Sequence, residues 1–146
     1  MSHAPFVPLR IFSAYTMLEG AIDPKDIAKR AREMGFPAAA ICDRNGMYGV
    51  MPFSEACAKA GVQPIIGAFL CVARPDIPQG ASAAYDWLAL FAQDEVGYDN
   101  LCRLVSAAHL DRPIEEQAHV SFETLAARTD GLIALTAGAE GALAKL

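Results

Sequence analysis

The sequence predicts an α/β fold, and three observations carry that prediction. Short apolar runs alternate with amphipathic segments of helical period. Start and stop signals bracket the helical segments, so the chain reads strand, helix, strand, helix, strand, the pattern of parallel pairing with right-handed crossovers. Hydrophobic residues make up 53% of the 146 and charged ones only 20%, which supplies a core and excludes a disordered tail.

Residues 6–12 read as a first strand, with Phe6, Val7, Leu9 and Ile11 as its apolar members. Asp23 then caps a helix with Pro24 at its first position; Ile27, Ala28, Ala31 and Met34 form its apolar stripe, and Gly35 ends it. FPAAAIC (36–42) is a buried strand that reaches Asp43, and RNGMYG is a turn. VMPFSEACAKAG is a second helix closed by Gly61, and QPIIGAFLCVA (63–73) is a third strand that Gly67 is expected to bend or bulge. PDIPQGASAA (75–84) is the most loop-like stretch, followed by a fourth strand, YDWLALFA. Asp94 or Asp99 opens the next helix, with Leu101, Leu104, Val105 and Ala108 on one face. Residues 111–120 are loop-like, Ser121 caps a short helix through Leu125, and GLIALT (131–136) is a final strand. Five strands and about four helices fit either a compact open sheet or the first part of a barrel, since a closed eight-unit barrel takes about 250 residues.

Net charge is −5, and the one basic cluster (Lys25, Lys29, Arg30, Arg32) alternates with Asp26 and Glu33, as a solvated helix face does. That is a poor nucleic-acid grip. Cys42, Cys57, Cys71 and Cys102 form no C-x-x-C and no zinc spacing with His3, His109 or His119, so they read as buried reduced thiols. No apolar run reaches the length of a membrane span and no signal peptide is present, which fits the cytoplasm. Ser13 and Thr16 lack a nearby histidine and a G-x-S-x-G elbow, so neither reads as a nucleophile.

Four blocks occur together and in order: FVPLRIFSAYTMLEGAI, AAAICDRNGMYGVMPFSEACAKAGVQPIIGAFL, FAQDEVGYDNLCRLVSAAHL and DGLIALTAG. In this order they resemble the polymerase-and-histidinol-phosphatase (PHP) domain at the start of the bacterial DNA polymerase III alpha subunit. The resemblance runs from Phe6 to about Lys145. It implies a distorted (β/α)7 barrel with parallel strands and flanking helices, of which residues 1–146 would be the N-terminal portion, truncated before barrel closure, with no palm, fingers or thumb.

Family members with an intact site hold a trinuclear metal cluster at the C-terminal ends of the strands. The resemblance aligns their His-x-His with Arg10 and Phe12 ahead of Ser13, and a further upstream His with Pro8. The Asp of the family's LLDG becomes Glu19; the Asp and His of TDHG become Asp43 and Arg44. A Glu becomes Phe69, a His becomes Trp87, and a Cys falls at Gly138. Only Glu19 and Asp43 keep a carboxylate, so the resemblance implies a vestigial site with no metal and no catalytic residue. Arg10 and Arg44 are expected to stand in for the cations and neutralise both carboxylates, with Phe12, Phe69 and Trp87 filling the remaining volume. Read without the family, Asp43 could cap a turn, Arg10 could be a snorkelling surface residue, and the three aromatics could simply be core.

The function implied is that of a structural, protein-binding segment of a replicative DNA polymerase. DNA, deoxynucleoside triphosphates and magnesium belong to the full-length enzyme and no cofactor to this segment. The implied partners are other polymerase III subunits, the proofreading exonuclease among them, and the truncated segment is expected to self-associate. Three alternatives stand beside this: an error-prone alpha-subunit homologue, a metal-dependent PHP phosphoesterase, and a non-enzymatic α/β interaction module.

Overall fold

A computed structural model describes residues 4–75 and 84–145. His3 and most of the predicted loop at 75–84 lie outside the described residues. Four helices form where local signals place them: α1 (Pro24–Glu33), α2 (Val50–Ala60), α3 (Glu95–Leu110) and α4 (Phe122–Ala126). Each of three N-cap side chains accepts a backbone N–H: Asp23 from Lys25 at 2.9 Å, Asp94 from Gly97 at 2.8 Å, and Ser121 from Thr124 at 3.1 Å. Asp94, not Asp99, therefore opens α3.

The described sheet has four strands in the order β1 (Ala38–Arg44), β2 (Gln63–Ala73), β3 (Tyr85–Ala92) and β4 (Leu132–Leu135). β1 and β2 pair in parallel, but β2–β3 and β3–β4 are antiparallel. The uniformly parallel sheet expected from the sequence is thus corrected at a single strand, because β1, β2 and β4 point one way and β3 alone is reversed. The connection 74–84 is too short for the helical crossover that parallel pairing needs. Reversal also sets the start of β3 beside the end of β2, so that Cys71 pairs with Trp87.

The expected first strand is corrected too. Residues 6–12 run along β1 without joining its ladder: Ala40 N donates to Pro8 O (3.0 Å) and Cys42 N to Ile11 O (2.9 Å). Three residues on one side oppose two on the other, and Pro8 has no N–H to return. A lone parallel bridge joins Ser13 to Ile22.

Strand alternation divides the core. On the outer face Ala39 and Ile41 pack with Ile27, Ala31, Phe53 and Cys57 of α1 and α2. Leu70 and Leu90 pack with Leu101, Leu104 and Ala108 of α3. The inner face carries Ala40, Cys42, Phe69, Ala89 and Phe91, with Leu9, Phe12 and Trp87 against them. Gly67 makes no bulge: it pairs in register with Cys42 and Phe91. A β-carbon there would stand 2.5 Å from the Phe91 ring and 2.7 Å from Leu90 O, so close approach is why this position is glycine.

Candidate functional site

The inner face ends in a cluster assembled from residues far apart in the chain. Arg44 closes β1 and is paired in register with Phe69 of β2. Trp87 comes from the start of β3, stacked on Phe69 with ring centroids 5.3 Å apart and planes 9° apart. Phe12 meets Phe69 edge-on at 5.4 Å. Beyond β4, a short 3-10 turn at Gly138–Glu140 brings in Glu140.

The Arg44 guanidinium sits at the centre. Its carbon lies 4.4 Å from the Trp87 ring centroid, 4.9 Å from Phe69 and 5.2 Å from Phe12. Nε and Nη2 donate to the two oxygens of Glu19, both at 2.8 Å, and Nη2 also donates to Glu140 at 2.7 Å. Nη1 is buried with no hydrogen-bond partner among the described residues. Burial alone pulls the Arg44 pKa down, but the bonds to Glu19 and Glu140 outweigh it and the net direction is up. The same bonds from Arg44 hold Glu19 below the usual carboxylate range, with Arg10 adding a smaller pull.

Asp43 is held differently from the expectation that an arginine neutralises it. It is 2% exposed and enters no ion pair among the described residues. Three donors satisfy it instead, each at 2.7 Å: Ser13 N and Thr16 Oγ1 to Oδ1, and Ser13 Oγ to Oδ2. Thr16 Oγ1 in turn accepts Arg44 N at 3.2 Å. The short polar side chains of the SAYT stretch thus fasten the 13–20 loop to the end of β1. Gly20 lets that loop fold back, since a β-carbon there would collide with Ser13 O.

Arg10 stands at the edge, 5.3 Å from the Phe69 ring and 5.7 Å from Phe12, donating to Ala137 O at 3.3 Å. It makes no ion pair with either carboxylate within 4.0 Å among the described residues. Gly138 has a φ of +57° and open space where a side chain would stand. The structure thus gathers Phe12, Glu19, Phe69 and Trp87 around Arg44, sets Arg10 and Asp43 at the border, and uses Gly138 as backbone only.

Sequence reasoning missed Glu140, 96 residues from Arg44, and the roles of Ser13 and Thr16. It also passed over Asn45, whose side chain donates to Ala118 O (2.6 Å) and accepts Cys71 N (2.9 Å). The Asn-Gly pair marked a turn, and Asn45 does adopt a φ of +44°, but no local pattern pointed to those distant partners. Outside Arg44 an open groove of about 590 Å³ is lined by Tyr15, Thr16, Met17 and Tyr48.

Rings and guanidinium groups give no lone pairs, and among the described residues no three His, Cys, Asp or Glu side chains gather to hold an ion.

Residues 8–146 match the PHP domain family. The chain belongs to the PHP domain family. This PHP chain is 40% identical over its full length to an error-prone DNA polymerase of Anaeromyxobacter sp. strain K, and spans 13% of that protein. It is 40% identical over 93% of its length to a DNA polymerase III subunit alpha of Caulobacter vibrioides, and spans 12% of it. The chain therefore covers about an eighth of these curated relatives. A solved structure from Bifidobacterium adolescentis, described as a metal-dependent phosphoesterase, shares the fold: TM-score 0.50, 18% identity, 76% of this chain and 37% of that one. No helix among the described residues is long and apolar enough to cross a membrane.

Proposed function

We propose that this PHP chain is a structural, protein-binding element of a bacterial DNA polymerase of the polymerase III alpha type, and that its own hydrolytic metal site is vestigial. One observation carries the second half: the Arg44 guanidinium, two carboxylates and three rings fill the space where the family resemblance places metal ligands. The two polymerase relatives support the first half. They include an error-prone and an alpha-subunit enzyme at equal identity, so the reading stays with the type they share. On this reading the chain is the opening portion of a longer, cytoplasmic polymerase. DNA, nucleotides and magnesium engage an acidic palm site elsewhere, and the partners are other replication subunits, the proofreading exonuclease among them.

The test is metal analysis after chelation and re-addition of zinc and manganese, together with hydrolysis of p-nitrophenyl phosphate. Less than one ion per chain and no hydrolysis above a metal-free blank are expected. Two or more retained ions, or metal-dependent hydrolysis, would overturn the vestigial reading and favour the phosphoesterase.

A further inference from the structure

We propose that Phe12, Phe69, Trp87, Glu19 and Glu140 form a receptor for a planar guanidinium cation, filled in the native chain by its own Arg44. This rests on the reading above that side chains have replaced metal ions, and goes further in saying what the replaced site selects. The carboxylate of Glu19 takes two parallel N–H bonds, a fit to a fork and not to a point charge. Glu140 takes a third bond, from the same Nη2. Trp87 and Phe69, with nearly parallel rings, lie nearest the cation, where their ring electrons favour a weakly hydrated, delocalised charge. The buried Nη1 has no acceptor among the described residues, which a guanidinium tolerates against rings and a strongly hydrated ammonium does not. A hard divalent ion would find two carboxylates and then only carbon.

The experiment removes the tethered cation and offers a free one. In the full chain, Arg44→Ala is titrated with guanidinium chloride at millimolar levels, against matched potassium chloride, zinc chloride and manganese chloride. Trp87, the one tryptophan in the sequence, supplies the fluorescence readout. The expected result is a saturable change with a dissociation constant of about 1–10 mM for guanidinium alone, well within the affinity open to so small a ligand. It is absent from the unmodified chain and weakened about tenfold by adding Glu140→Gln. A response equal to that of potassium would overturn the inference and leave the vestigial reading standing, whereas stoichiometric zinc or manganese binding would overturn both. The unmodified chain gives a second readout that does not depend on the variant's folding. The Arg44 Nε–H resonance should show a ring-current shift and hindered guanidinium rotation relative to the exposed Arg30. A solvent-like Arg44 resonance would refute the receptor.

Discussion

Replacing Asp43 by alanine is the sharpest test of how the site loop is held. The substitution removes the acceptor of Ser13 N, Ser13 Oγ and Thr16 Oγ1, all at 2.7 Å on a carboxylate that is 2% exposed. A hydrogen bond to a charged group is worth about 1.5–3 kcal/mol, and a buried donor left without a partner costs about 1–3 kcal/mol. The three share one acceptor and do not add, so the loss should come to on the order of 4 kcal/mol. At about 3 °C per kcal/mol for a chain of this size, the midpoint should fall by about 12 °C. Asp43→Asn keeps one acceptor oxygen, and the Ser13 hydroxyl can turn to accept from the new amide, so its cost should be about 1–2 kcal/mol. Urea unfolding followed by circular dichroism measures both. If Asp43→Ala lies within about 1 kcal/mol of the unmodified chain, the three bonds do not hold the loop.

Other outcomes follow from other parts of the structure. Glu19 has its folded pKa lowered from the ordinary 4.5, so the stability its pair contributes is complete above that value and is lost as pH falls through the lower folded one. Carboxyl NMR titration should show the depressed midpoint, and Arg44→Gln should return it toward 4.5. Gly67→Ala should cost about 1–3 kcal/mol in urea unfolding, because backbone oxygen as well as a ring stands in the way. Thiol titration of the native chain should modify Cys102 first: Cys42, Cys57 and Cys71 are buried, and burial pushes Cys42 to about 12 and Cys57 to about 11. Ile133 and Leu135 share the inner face with Phe91 and Ala89 yet are 50% and 39% exposed on an edge strand. Light scattering should therefore show the isolated chain self-associating as concentration rises, and a clean monomer throughout would contradict this.

The helices were legible because their signals are local. Asp23 with Pro24, Asp94 and Ser121 each act on an N–H two or three residues away, within reach of any reading of the sequence. β3 was legible as a strand but not in its direction, since an apolar run such as YDWLALFA reads alike in either sense. The segment 6–12, expected as a strand, bonds to β1 through Pro8 O and Ile11 O without forming one, and at Pro8 a ladder donor is missing. In the site, Phe12, Glu19, Phe69 and Trp87 of the residues that the family resemblance singled out meet around Arg44, Arg10, Asp43 and Gly138 do not, and Glu140 was invisible because nothing in sequence spacing joins positions 44 and 140. Asp43 was picked out with the wrong partners: hydroxyls weighed only as nucleophiles turned out to be the donors that satisfy it.

The positive charge at the heart of this cluster is covalently part of the polypeptide. It arrives once per molecule at synthesis, cannot be stripped by a chelator, and cannot be exchanged for a competing ion when the surrounding pool changes. What a loosely held cofactor would make conditional on supply is here written into the gene, and only mutation can take it away.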